Sequence, residues 1–398
     1  MKLALVTSVY PPMKSSGAIQ LADLVEKLLE QGHNLTVLTP SDKSILKVEK
    51  DSVSDNYTVL RLGAMTVYGV SKARRMLAEL TSPYFMALNY YRLNQYEEKF
   101  DGVVCYSPSI FLGPFVQLLK IRSQCKVYLI LRDIFPEWAY DLGVIKSKLL
   151  YSFLKKIELS QYKIADIIGV QSSNDIIYIK NLFKNKVKDV RKLDNWLTSR
   201  KIVSCSINLN STVLKGKKIV VYAGNMGLAQ GMEFLFKFLI KMKFSDEIGF
   251  LFVGRGDFVS KLEVLIEENK IKNVLHFDEI EPNEIQGLYS QCHCGLISLD
   301  HRHKHHNIPG KFFSYMDAGL PVFAILNPGN ELINIIEENK IGDYSSGLDV
   351  CELEVKLKEL LLSLPKTNEL KKRCSDLIKN LFSTNKIATE IVNSLMKK

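Results

Sequence analysis

Lys311 is the side chain whose position most invites chemistry. It stands in Asn307-Ile308-Pro309-Gly310-Lys311-Phe312-Phe313-Ser314, which reads as a loop entering a short helix before a strand at 321–325. A cation in the first helical turn opposes the helix dipole. A phosphate docked on that helix start would resolve the conflict, and a solvated lysine is the plain alternative. Two glycine-rich turns stand where strands give way to helices, Gly224-Asn225-Met226-Gly227 and Gly254-Arg255-Gly256-Asp257. Neither has the glycine spacing of a dinucleotide site or a P-loop. Loop 11–17 is a third candidate, because Gly17 opens a helix whose amides could face an anion. Together the three imply a phosphate-bearing ligand. His301, His303, His305 and His306, with Cys292-His293-Cys294 upstream, invite a metal. The histidines lack the paired spacing of zinc sites, and strand alternation would put both cysteines on one apolar face, so no metal is expected.

The elements that must position these residues repeat as strand, turn, helix. Residues 3–9 form a continuous apolar run, as in a parallel strand buried on both faces. Leu21, Leu24, Val25, Leu28 and Leu29 follow at helical spacing, with Gly32 as the stop. Strands are expected at 35–38, 102–105, 127–131 and 167–171. The series restarts after residue 216, with strands at 218–223, 250–253, 274–277, 295–299 and 321–325. Alternation of this kind implies parallel sheets with right-handed crossovers. The fold class is therefore α/β, as two doubly wound, Rossmann-like domains at 1–195 and 217–375. A polar linker is expected at 196–216, and a C-terminal helix at 376–398 that could pack on the first domain. In such sheets ligands bind beyond the carboxyl ends of the strands, so two facing domains would share one cleft.

The chain has 398 residues, 46% hydrophobic and 24% charged, which excludes disordered, collagenous and disulfide-scaffold classes. Seven dispersed cysteines read as reduced thiols of a cytoplasmic protein. The formal charge is +10. Residues 1–200 hold 28 Lys/Arg against 19 Asp/Glu, and the rest hold 25 against 24. The excess in the first half suggests an anionic partner there, with solubility as the bland alternative.

Several of these segments, in order along almost the whole chain, resemble the family 4 glycosyltransferases of GT-B architecture. They are Tyr10-Pro11-Pro12 with Gly17, Ile130-Leu131-Arg132-Asp133-Ile134-Phe135-Pro136-Glu137, Gly224 to Gly227 followed by Ala229-Gln230-Gly231, Val253 to Asp257, and 307–322. The nearest resemblance is to bacterial O-antigen L-fucosaminyltransferases. It implies a retaining transfer from a nucleoside diphosphate sugar, with uridine as the base and no obligatory metal or other cofactor. The donor would bind the second domain through Gly224, Asn225, Met226, Gly227, Gln230, Arg255, His306, Ile308, Pro309, Gly310, Lys311 and Ser314, with Gly17 approaching the diphosphate from the first. A developing negative charge on the leaving diphosphate needs preorganised donors, and Arg255, Lys311 and the 224–227 amides are assigned to it. His306 and Ser314 stand where many members have two glutamates, and Asn225 and Gln230 where many have Arg and Lys.

The resemblance also implies an acceptor in the first domain. Asp133 and Glu137 are the carboxylates that could orient or deprotonate its hydroxyl, and Arg132 could hold an acceptor phosphate. Asp133 could equally cap a helix. Residues 72–99 mix Lys72, Arg74, Arg75, Arg92 and Lys99 with Leu77, Leu80, Tyr84, Leu88, Tyr90 and Tyr91, which suits an anionic bilayer surface or an ordinary packed helix. A lipid-linked saccharide acceptor favours the bilayer, hence peripheral attachment to the inner face of the bacterial inner membrane. The alternative is a sugar-nucleotide 2-epimerase of the same architecture. No nucleic-acid recognition signature is present.

Overall fold

The computed structural model describes residues 1–67, 69–93, 98–184, 189–199, 203–302, 308–364 and 367–397. It divides into two compact units, 1–194 with 384–398, and 195–383.

In the first unit the described strands form one sheet of order β3-β4-β2-β1-β5-β6-β7-β8. The apolar run β1 (Lys2–Thr7) lies at the centre, paired in parallel with β2 (Asn34–Ser41) and β5 (Gly102–Ser107). Next to β2 come β4 (Tyr57–Gly63) and the antiparallel edge β3 (Val48–Ser54). Beyond β5 lie β6 (Lys126–Leu131), β7 (Ile167–Val170) and β8 (Asp189–Lys192). The helices are α1 (Ser16–Glu30), α2 (Lys72–Arg92), α3 (Gly113–Ser123), α4 (Glu137–Asp141), α5 (Lys148–Ile164) and α6 (Ser173–Leu182). Helix α1 starts where the Ser15 hydroxyl caps the Ala18 amide and buries Ala18, Leu21, Leu24, Val25 and Leu28. It ends before Gly32, whose φ of +81° suits glycine. Contacts of α2 with α3, and of α3 with α5, form one helix layer.

The second unit holds β9 (Lys218–Ala223), β10 (Ile248–Val253), β11 (Val274–Phe277), β12 (Cys294–Ser298), β13 (Val322–Ile325) and β14 (Gly342–Ser345). They form an all-parallel sheet of order β11-β10-β9-β12-β13-β14. Around it stand α7 (Met232–Met242), α8 (Val259–Glu268), α9 (Ile285–Ser290), α10 (Gly310–Asp317), α11 (Glu331–Asn339), α12 (Val350–Ser363) and α13 (Asn368–Leu381). Two apolar clusters cover the faces of this sheet. Cys292 joins one and Cys294 the other, so they serve opposite faces rather than one, since Cys292 precedes the strand.

The chain then returns to the first unit with α14 (Thr384–Met396). This helix packs on α1, where Gln31 Nε2 bonds Asn385 Oδ1 at 2.8 Å and Thr389 Oγ1 at 2.9 Å. Two boundaries differ from the expected ones. Residues 195–216 belong to the second unit, where Ile207, Leu209 and Leu214 are buried in its core, so that stretch is no free linker. Residue 376 falls inside α13, which buries Leu370, Cys374 and Leu377 in the same core.

Candidate functional site

In the second unit the site is built on the carboxyl end of β9. The turns after β9 and β10 interlock through their backbones. Met226 N–H donates to the Arg255 carbonyl at 2.7 Å, Gly224 N–H to Val253 at 2.8 Å, and Phe258 N–H to Met226 at 3.1 Å. The approach requires glycine. A Cβ on Gly254 would lie 2.2 Å from the Gly224 carbonyl oxygen and one on Gly256 2.3 Å from that of Met226, at φ of +142° and +144°.

This interlocking corrects part of the expected phosphate cradle. The amides of Gly224 and Met226 are spent on the neighbouring turn, and Gly227 N–H donates to Gln230 Oε1 at 3.1 Å. Asn225 Nδ2 donates to the same Gln230 oxygen at 3.2 Å, so both side chains brace the turn. Met226 is fully buried in the core and Ile308 almost so, which removes both side chains from a ligand surface. Arg255 stays exposed, in a 3.4 Å pair with Glu279 that is worth little in water.

Lys311 is where the geometry concentrates. Pro309 precedes α10 in extended conformation, Gly310 opens it, and Lys311 follows in its first turn with Ser314 one turn on. The Lys311 ammonium lies 3.5 Å from the centroid of the Tyr222 ring. Its Cε is 3.8 Å from where a Gly224 Cβ would stand. No described carboxylate pairs with it, and burial pushes its pKa from 10.5 down to about 7. A half-buried cation with an aromatic face beneath it and no carboxylate partner is suited to take an anion.

Two residues of this site were not read from the sequence. Tyr222 looks like one more apolar strand residue, yet its ring carries the lysine and its hydroxyl donates to the Asn225 carbonyl at 2.7 Å. Tyr315, four residues after Lys311, fixes α10 to the sheet. Its hydroxyl meets the carbonyls of Val221 at 3.0 Å and Leu296 at 3.2 Å and accepts from Ala223 N–H at 3.3 Å. Spacing four residues apart on a helix was the available signal. Tyr315→Phe leaves these buried groups short of a partner and is expected to cost about 1–3 kcal/mol in thermal unfolding. His306, with His303, His305 and Asn307, lies outside the described residues.

In the first unit a cleft of about 930 Å³ opens at the carboxyl ends of β1, β2, β5 and β6, lined among others by Val9, Tyr10, Ser41, Ser109, Asp133 and Trp138. Asp133 thus reaches a ligand-sized cavity, and Arg132 beside it donates to Gln20 Oε1 at 3.0 Å. Glu137 is a correction. It is buried, is not among the cleft-lining residues, and accepts hydrogen bonds from Lys155, from Tyr178 at 2.5 Å and from Tyr151 at 3.1 Å. A turn of α4 sends Trp138 to the cleft and its neighbour Glu137 inward. Gly17 does not line this cleft, and its side-chain space is taken by Tyr106, whose hydroxyl would be 3.0 Å from a Cβ there.

No family model matches the chain. The glycosyltransferase WbjE of Pseudomonas aeruginosa is 26% identical over 244 residues, covering 59% of this chain and 60% of that protein. The chain therefore matches less than two thirds of that relative's length. The colanic acid biosynthesis glycosyl transferase WcaI of Escherichia coli K12 is 21% identical over 401 residues, covering 92% of this chain and 94% of that one. Among solved structures, sucrose-phosphate synthase of Thermosynechococcus elongatus superposes with a TM-score of 0.74 at 14% identity, over 99% and 98% of the two chains. The Anabaena protein HepE, in complex with UDP-glucose, gives 0.67 at 12% identity over 99% of each. The fold is GT-B. Within the GT-B fold, the second unit's glycine turns and α10 stand at strand carboxyl ends, the ligand edge of a doubly wound sheet.

Proposed function

We propose that the chain is a glycosyltransferase of bacterial surface-polysaccharide synthesis that takes a UDP-linked sugar as donor. One observation carries this reading: Lys311, half-buried over the Tyr222 ring with no described carboxylate beside it, in the first turn of α10 next to the turn after β9. The names of the two relatives and the UDP-glucose in HepE support it. As the bond between sugar and diphosphate breaks, charge grows on the leaving oxygen. Lys311, the start of α10 and the exposed Arg255 would stabilise it, so no obligatory metal is required. Ser314 would reach the donor's hydroxyls. Transfer with retention, N-acetyl-L-fucosamine as the sugar and a lipid-linked saccharide as the acceptor complete the proposal. They rest on the resemblance of 130–137 and 307–322. The comparisons do not favour the epimerase alternative.

The acceptor is proposed to lie in the first unit's cleft, with Asp133 orienting its hydroxyl and Trp138 stacking on a sugar face. Trp138→Ala is expected to raise the acceptor KM about tenfold while the donor KM holds, as measured by initial rates. The donor is tested by thermal unfolding against a panel of nucleotide sugars. At one hundred times its Kd a true donor stabilises by about 2.7 kcal/mol. Should no nucleotide sugar raise the transition at saturation, the reading falls.

A further inference from the structure

Helix α2 has two working faces. Arg75, Glu79 and Ser82 line the acceptor cleft, and Glu79, the one acidic residue of α2, is held there by Arg75 at 2.9 Å. The opposite face carries Leu77, Tyr84, Leu88 and Tyr91, spaced seven, four and three residues apart, all exposed. Residues at this spacing share one side of a helix. Exposing four large apolar side chains on one helix face has no folding benefit, and a contiguous stripe of this kind marks an interaction surface. Arg74 and Arg92 flank it and are exposed.

A second exposed apolar pair stands at the start of α5. Leu80 of α2 and Leu150 of α5 both pack on one small core, and α3 contacts both helices. Leu149, next to Leu150, is 85% exposed, and Phe153 one turn on is 45% exposed. Lys148 and Lys156 flank this pair, and the one acidic residue of α5, Glu158, is turned into the protein. Both segments belong to the helix layer on one side of the sheet.

We propose that the outer faces of α2 and of the start of α5 dock on an anionic lipid bilayer. Apolar and aromatic side chains enter the headgroup boundary, and the arginines and lysines meet lipid phosphates. No described helix is long and apolar enough to cross a membrane, so the contact is with its surface. Because α2 is also a wall of the cleft, docking brings the cleft beside the bilayer. A saccharide carried on a membrane lipid can then enter without leaving the lipid layer. This membrane role deepens the lipid-linked acceptor of the preceding reading, and the segment 148–156 is a part of it that composition alone did not single out.

The test is co-sedimentation of the full chain with vesicles of phosphatidylcholine, with and without phosphatidylglycerol, at low and high salt. The chain is expected to sediment with the anionic vesicles and to be released by salt. Two variants, Tyr84→Ser with Leu88→Ser and Tyr91→Ser, and Leu149→Ser with Phe153→Ser, are each expected to lose about tenfold in partitioning. Both are expected to keep the wild-type thermal shift with UDP, which shows that they are folded. Failure of the wild type to bind anionic vesicles overturns the proposal, as does undiminished binding by both variants. So does a self-association in solution that the substitutions abolish while vesicle binding persists, which would make this face a contact between copies. Vesicle binding without any nucleotide-sugar shift would sink the glycosyltransferase reading and leave the docking face standing.

Discussion

Lys311→Met is expected to lower kcat/KM by about two to three orders of magnitude while making the ligand-free protein more stable. The loss follows from removing a preorganised charge aimed at a developing anion, worth about 3–4 kcal/mol in comparable sites. The gain follows from the same burial. Folded Lys311 has a pKa near 7, against an ordinary value of 10.5. For a base whose folded pKa is depressed, the folding cost is fully present below about pH 7 and fades as pH rises toward 10.5. Methionine keeps the stem and removes the charge. It should raise the unfolding temperature by about 2–4 °C at pH 6.5, for roughly 1 kcal/mol, and by less at pH 9. Steady-state kinetics and calorimetric scans of the two proteins check both halves. An activity loss with no stability gain would mean that the ammonium is solvated rather than buried.

Lys155→Met is expected to be the most destabilising of the conservative substitutions, for the opposite reason. Lys155 sits between two buried carboxylates, paired with Glu137 and with Glu158 at 2.5 Å, and it donates to the Tyr178 hydroxyl at 2.6 Å. Burial, with the Glu137 charge beside it, pushes the Glu158 carboxyl up. A raised carboxyl pKa contributes stability below its ordinary value of 4.5 that is lost as pH rises through the folded pKa. Removing the lysine leaves both carboxylates uncompensated, at about 3–5 kcal/mol and roughly 10 °C in unfolding temperature. The deficit should be larger at pH 8 than at pH 5.5, where the raised Glu158 carboxyl takes up a proton. Equal deficits at both values would show that the Glu158 carboxyl does not change protonation over this range. Because α4 carries Glu137 inward and Trp138 outward, this buried cluster is also what holds one wall of the cleft.

The strands that build both sheets were readable because a buried parallel strand is a continuous apolar run. β1, β6, β9 and β10 are such runs. β3 was not, because Val48-Glu49-Lys50-Asp51-Ser52-Val53-Ser54 is an exposed edge with no apolar pattern to read. The stretch 196–216 looked like a linker because it is polar on average, and its buried apolar side chains, Trp196, Ile207, Leu209 and Leu214, are scattered among serines and asparagines. At the site, Lys311 stood out as a charge that a helix start disfavours. The fates of Met226 and Gly224 did not, because they are decided by the backbone of the turn after β10, and that of Ile308 is decided by its packing in the core. Glu137 showed the limit of reading a carboxylate beside an aspartate: four residues of spacing fix neither which way α4 turns nor that Lys155, eighteen residues on, waits beneath it.

The central claim is that a uridine diphosphate is held by Lys311. The most direct measurement is calorimetric titration of UDP into the wild-type chain and into Lys311→Met, at pH 6.5 and at pH 8.5. A bound diphosphate raises the lysine's pKa, so wild-type affinity should be greatest below about pH 7. It should weaken by about tenfold at pH 8.5, relative to the variant as control for UDP's own titration. The variant should bind at least a hundredfold more weakly at the lower pH. Saturable wild-type binding that neither the substitution nor the pH alters, or no binding at all, would contradict the account.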